Sequence, residues 1–595
     1  MKRIIPFFIL YLAIVFPLFS ERIYYIDSRN GNDLNNGLLP ASAWKTIGKI
    51  NNSWAKIQPG DDILLKRGEI FTDATMYIEK GGTSSNPMII GAYGTGRKPI
   101  IDGRPNRIPG GIHCTTPNLN NIQVQDLIIK DINGGQSLAF GADNLSHISI
   151  SRVEIDGNAD RNGILLSKID TYIIEDCAVS NCGNSGIAII GSSTYPITNG
   201  MIRNNVVHNA TGILGDSKGG DGITLHREDS QGYDVGPNHQ LSNNLLYNCR
   251  EEGLDVTSGS HIILRKNETS NNTNGGIAIG WGVSDVWIDK HYSHNDKNVA
   301  IIIESSSRVR LTSSVIYNAW YHQVQVKDCT DFECYNNTIV CGPDSTNSLL
   351  DISTGSQNLV FKNNIFASTK ANSPTRLLRY LSGTTPGNTN SSFDYNIYWI
   401  PNPEDLRMWW DGVNALTIQG WKSAWGQDSL SSYQDPQLID PLDEDFHLRP
   451  DSASIDAGTD LELDTDFDGQ KIPQGFAPDV GAYEIAKSLY ARAMASPASE
   501  MAPLSFVFIA TAEGDFPPFL FAWNFGDGQA STLQNPSHTY KKIGRYKATL
   551  RITDQQGSFA NTSLRIKAFR TQFRAKTNRS AGPRSGGKKL PPNKK

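Results

Sequence analysis

The chain has 595 residues, a net charge of −5, and 19 % charged against 38 % hydrophobic residues. With 54 Gly and about fifty Asn, it is too apolar for a disordered chain and too rich in turn formers for a coiled coil, a helical bundle or a multi-span membrane protein. Such a composition builds many short strands joined by tight turns.

In chain order, Met1-Lys2-Arg3 and an apolar run from Ile4 to Phe19, ending at Ser20, predict a secretory signal peptide over residues 1–20. The run is short for a membrane span, and no Cys follows it to take a lipid anchor. The expected location is therefore secreted, extracellular or cell-surface, with no integral membrane span.

From Val124 to Phe393 one pattern returns, with β-like segments anchored at intervals as short as 23 residues. A fixed floor with occasional insertions marks a solenoid, in which each repeat stacks only on its neighbours. Three residues after the anchor, Asn recurs (Asn205, Asn244, Asn267, Asn337, Asn364, Asn396), and seven after it Asn fills six consecutive repeats from Asn181 to Asn318. Asn tolerates left-handed backbone and can hydrogen-bond its copy one rung away. A second strand follows, as in DGITLH (221–226), EGLDVT (252–257) and GGIAIG (275–280), alternating Ile or Leu with small or polar residues. No leucine-rich consensus or amphipathic helix accompanies the repeat. The predicted fold is all-β: a parallel β-helix, followed after Ser488 by alternating strands between Gly-Asp-Gly and Gly-Arg turns at the spacing of a β-sandwich.

The longest insertion, GDSKGGDGITLHREDSQGYD (215–234), precedes a rung carrying Glu251, Glu252 and Asp255. Rungs lie about 4.8 Å apart, so Asp221, Glu251, Glu252 and Asp255 are expected to converge. Four carboxylates that close need a cation or protons to offset their repulsion, and Ca²⁺ suits an all-oxygen set. His226, on the strand of Asp221, is the first candidate base. Lys218 and Lys327 are weaker candidates for substrate contact. Asp464, Asp466, Asp468 and Gly469 open like a Ca²⁺ loop, but Gly475 stands where an EF-hand needs Glu. Trp409, Trp410, Trp421 and Trp425 lie outside the coil pattern and read as packing residues.

Seven Cys are too few to scaffold this chain. Cys177 with Cys182, or a pair among Cys329, Cys334 and Cys341, are candidate disulfides, and buried free thiols are the equal alternative. Nine Lys/Arg and no acid lie between Arg570 and Lys595; without them 46 bases face 60 acids. An acidic body argues against nucleic acid as a partner. The basic tail reads as disordered, with tethering to an anionic surface as its functional alternative.

Residues 24–50, 58–69 (QPGDDILLKRGE), 97–103 (RKPIIDG) and 435–484 resemble the flanks of secreted right-handed β-helix carbohydrate-active proteins. FAWNFGDG (521–528), PSHTY (536–540) and GRYKATLRITD (544–554) resemble the polycystic-kidney-disease (PKD) domain, an Ig-like β-sandwich. The expected division is a signal peptide (1–20), a β-helix (21–486), a PKD domain (487–568) and a basic tail (569–595). The carboxylate arrangement is similar to the Ca²⁺ site of family 9 polysaccharide (pectate) lyases. That likeness implies a Ca²⁺-assisted lyase on acidic, uronate polysaccharide, with a Lys base on a following coil. Ala278 holds the Lys position. The alternatives are a glycoside hydrolase using the same carboxylates, or a non-catalytic protein that binds glycan or matrix through the β-helix, PKD domain and tail.

Overall fold

The computed structural model describes residues 21–568, apart from 105, 159–160, 193–194, 213–218, 228–234, 354, 371–375, 381–389, 411–412, 416, 486–488, 498–504, 515–516 and 556. Residues 1–20, where a signal peptide is expected, the basic tail and Lys218 lie outside the described residues. The chain divides into two units, 1–485 and 486–595.

The first unit is a coil whose three sheets each contain 14 strands, parallel except for one terminal hairpin. One turn runs through all three. Ser260–Arg265 lies in the first sheet, Glu268–Ser270 in the second and Gly275–Ile279 in the third, and Ser284–Asp289 returns to the first. The anchors form one interior column: from Val124 through Ile150, Ile174 and Ile202 to Phe393, each pairs in register with the next. Alternation along each strand sends these side chains inward, and stacking one rung on the next removes them from water.

The two Asn columns do different jobs. The residue seven after the anchor is left-handed, with φ of 56–59° from Asn181 to Asn318. The residue three after it is not; the left-handed position there is its predecessor, as at Asn204, Asn243 and Asn363. The column itself turns inward and forms a buried ladder. The Asn205 amide donates to Asn244 Oδ1 (3.0 Å) and to the Ile174 carbonyl (3.0 Å). Asn244 repeats this toward Asn267 and the Ile202 carbonyl, and Asn337, Asn364 and Asn396 continue it further along the coil. Every buried amide thereby finds partners, which is what makes a polar column tolerable inside the coil.

All seven Cys are buried and free, so neither candidate disulfide forms. The thiols point into the coil as small apolar groups, and burial pushes several, including Cys177, Cys182 and Cys249, up to about 12.

Tyr24, Trp44, Ile47 and Ile50 extend the core at the N-terminal strands, with Tyr24 and Trp44 stacked at 4.7 Å. Trp421, in the helix Ile418–Trp425, is buried near Phe393, and its indole N–H donates to Asp428 Oδ2 (2.5 Å). That is the packing role expected of it. The segment 435–485 packs on the outer face of the second sheet, setting Phe446, Leu448 and Val480 against Tyr317, Val340 and Ile365. Within it, Asp466 accepts backbone N–H groups from Gln470 (2.6 Å) and Glu484 (2.9 Å), and Asp468 faces His447 (2.8 Å). These carboxylates hold a turn together rather than converging on a common point.

The second unit has a three-stranded and a four-stranded antiparallel sheet closed on Phe508, Trp523, Phe525, Tyr540 and Leu550. Among the described residues, no helix is long and apolar enough to cross a membrane.

Candidate active site

A cavity of about 900 Å³ opens on the outer face of the third sheet, across strands Ile187–Ile190, Ile223–His226, Glu252–Val256, Gly275–Ile279 and Val299–Glu304. Each of the first four strands is preceded or interrupted by glycine where the coil turns inward. A Cβ on Gly222 would lie 2.5 Å from the Gly253 carbonyl oxygen, and one on Gly253 2.7 Å from Thr269. Glycine thus lets neighbouring rungs close up at this corner. At Gly253 two consecutive residues are buried, so Glu252 and Asp255 both face outward into the cavity despite their odd spacing.

The structure brings Asp221, Glu251 and Glu252 together, with one carboxylate oxygen from each within 4.8 Å of the others. Asp221 is the buried member; it accepts from Ser185 Oγ (3.2 Å) and, at the edge of bonding range, from the Glu252 N–H (3.4 Å). Glu251 accepts the Gly219 N–H (2.9 Å), and Glu252 accepts the Asn274 amide (2.9 Å). Asp255 stands outside this close trio but lines the same cavity, held by Thr224 Oγ1 (3.0 Å), its register partner on the preceding strand.

Burial, then repulsion from Asp255 and Glu251, pushes Asp221 well above the usual carboxylate range. Burial and the charge of Asp221 raise Glu252 to about 8. Burial and Glu252 raise Asp255 to about 8. Asp221, Glu252 and Asp255 are thus all held toward the protonated form near neutrality.

His226 faces the cavity as alternation requires; its Nδ1 is 2.7 Å from Thr257 Oγ1. Ala278 sits beside Asp255 in register and lines the floor. Lys327 does not line the cavity; it is ion-paired with Glu304, which does. Among the described residues, no lysine lines it.

Sequence reasoning missed Trp281. Its indole is 56 % exposed at the rim, edge-on to His226 with ring centroids 6.2 Å apart. Its φ of 58° is unusual for so bulky a residue. The conformation is held from both sides: the Trp281 carbonyl accepts from Arg227 Nη2 (2.5 Å), and the Gly282 N–H donates to the Ser305 carbonyl (2.7 Å). The available signal was a Trp between two glycines directly after a strand.

Residues 139–281 and 234–385 match the right-handed β-helix region family, and residues 491–567 match the PKD domain family. The chain is a right-handed parallel β-helix followed by a PKD domain. The matched β-helix family is a general one, so the likeness to family 9 lyases is only approximate. A lacto-N-biosidase of Bifidobacterium longum subsp. longum is 24 % identical over 332 residues, covering 52 % of this chain and 19 % of that protein. The chain therefore spans about a fifth of that relative's length. Among solved structures, a GH136 lacto-N-biosidase from Eubacterium ramulus aligns with 16 % identity and a TM-score of 0.41, over 63 % of this chain and 67 % of that one. An Azotobacter vinelandii mannuronan C-5 epimerase A-module aligns with 14 % identity and a TM-score of 0.44, over 66 % and 95 %.

Proposed function

We propose that the β-helix cleaves glycosidic bonds of a neutral glycan by carboxyl acid–base chemistry in the cavity of Asp221, Glu252 and Asp255. One observation carries this reading: Glu252 and Asp255 face one cavity, each raised to about 8. Glycoside cleavage needs one protonated carboxyl to hand a proton to the leaving oxygen and one ionised carboxyl to stabilise or attack the sugar. Around pH 8 the first proton leaves the pair and the charge it uncovers holds the second on, so the same residues then offer one carboxylate and one acid. Asp221 biases the set by its charge, while Thr224 and Asn274 orient Asp255 and Glu252. Trp281 offers an aromatic face to a sugar ring at the rim.

The lining favours a neutral substrate. Asp221, Glu251, Glu252, Asp255 and Glu304 face Arg227 and His226 as the cavity's cationic or protonatable groups among the described residues. Arg227 and His226 offer too little positive charge to hold a polyuronate's row of carboxylates, whichever of these carboxyls carry protons. The similarity to a protein named lacto-N-biosidase supports the same direction. The apolar segment at residues 1–20 supports placing this activity outside the cytoplasm.

A second reading has its own observation. The three oxygens within 4.8 Å suit a Ca²⁺ ion. Asp221, Glu251 and Glu252 would hold it, and bound there it would acidify the proton beside a uronate carboxylate. His226 would have to take that proton, because Ala278 cannot.

Products separate the two. The protein is incubated with neutral oligosaccharides and with uronate polymers, with Ca²⁺ or with chelator. New reducing ends from neutral substrates, unaffected by chelator and reduced at least a hundredfold in Asp255→Asn, are expected. Unsaturated products absorbing near 235 nm, lost with chelator, would overturn the hydrolase reading in favour of the lyase. No product from any substrate would overturn both.

A further inference from the structure

A second cavity, of about 670 Å³, lies on the outer face of the first sheet, a different face of the coil from the carboxyl cavity. Its floor is one outward column, Ile173, Met201, Gln240, Ile263 and Trp287, each in register with the next. Outward positions of a solvated sheet are ordinarily polar, yet four of these five are apolar and partly exposed. Five strands at about 4.8 Å spacing make a floor about 19 Å long, running along the coil axis.

Polar ridges flank the floor. On one side each strand carries a left-handed residue, from Thr171 to Arg308. There Asn238 donates to Asn199 (3.0 Å), Asn199 to Asp170 (2.7 Å), and Arg308 grips Asp285 (2.6 and 2.8 Å). On the other side Arg203 pairs with Glu175 (2.7 Å) and Arg265 with Asp289 (2.9 Å), while Arg265 lies over Trp287 at 4.6 Å. The arginines of both ridges are thus paired with carboxylates, and Asp170 is met by the Thr198 hydroxyl and the Asn199 amide.

We propose that this trough binds a stretch of neutral polysaccharide lying along the coil axis. Ridges built of arginine–carboxylate pairs and amides, with Asp170 held by neutral groups, offer no surplus positive charge to draw in a polyanion. An apolar floor between rows of amides and carboxylates matches a sugar chain, whose C–H faces alternate with hydroxyl edges. Gln240, exposed in the middle of the floor, supplies a hydrogen-bonding group there. A second copy of the chain would have to bury that amide in the centre of an apolar contact, at a cost a hydrated sugar does not impose.

Native affinity electrophoresis of the full chain tests this through gels containing glucomannan, xyloglucan or mixed-linkage β-glucan, with alginate and polygalacturonate as charged controls. Retardation by at least one neutral polymer is expected. Trp287→Ala and Met201→Lys should each weaken it about tenfold, the loss expected for uncovering or blocking one apolar side chain. Met201→Lys keeps the Trp287 hydrogen bond to Thr312 (2.8 Å), so it reports on the trough where Trp287→Ala disturbs folding. Because retardation needs no turnover, it is independent of whether the carboxyl cavity is catalytic. The proposal is overturned by no retardation in any neutral polymer, by retardation equal in both variants, by retardation in polyanions alone, or by a concentration-dependent dimer that Met201→Lys dissociates.

Discussion

Glu252 and Asp255 set a pH dependence that can be read without a substrate. An unfolded carboxyl titrates near 4, whereas both groups are raised to about 8 in the fold. Between those values the native state holds protons that the unfolded chain has already released. The contribution of these two groups to stability must therefore fall as pH rises from about 4 to about 8, and level off above that. Glu252→Gln removes one of these titrations while leaving an amide able to meet Asn274 and water. It is expected to raise the melting temperature of the β-helix transition at pH 8 by a few degrees, about 2–4 °C per kcal/mol, and to change it little at pH 4.5. Calorimetry at the two pH values checks this. A lower melting temperature at pH 8, together with destabilisation by chelator, would show that a cation and not protons balances the cluster.

The coil element is held by its two Asn columns, and their difference in mechanism has a measurable consequence. Asn267 accepts from the Asn244 N–H and amide while donating to the Leu241 carbonyl, all in the interior. Asn267→Ala orphans those buried groups and is expected to cost about 2–4 kcal/mol. Asn271 is needed for its φ of 56°, which glycine adopts freely, so Asn271→Gly is expected to cost only a few tenths of a kcal/mol. Urea melts of the two variants against the parent should separate by well over 1 kcal/mol; equal losses would mean that the turn, not the ladder, holds the coil.

At the scale of the whole molecule, the coil and the sandwich are each held by packed cores without covalent staples. With all seven thiols buried and free, Ellman's reagent is expected to titrate almost none in the native protein and seven per chain in denaturant. Reductant should leave the melting temperature unchanged. A count of five or fewer thiols in denaturant without reductant would establish a disulfide.

The repeat length, the anchor column and both Asn positions were legible in the linear order, because a solenoid contacts only its sequence neighbours and its period survives in one dimension. The convergence of Asp221 with Glu251 and Glu252 was legible for the same reason: one rung separates them. Other features depended on how the strand turns at Gly253, which sets Asp255 beside the close trio rather than in it. They depended also on a left-handed rim that swings Trp281 over the cavity, and on partner choice, which spends Lys327 on Glu304. The outward apolar column from Ile173 to Trp287 leaves no mark in the linear order, because a single outward Ile or Met in one repeat is unremarkable. Only stacking five rungs turns those scattered side chains into a surface. Periodicity along the chain thus determines the coil and its interior. What faces the solvent, and hence the chemistry, is decided by lateral register between rungs, because that contact pairs residues some 23 to 39 positions apart.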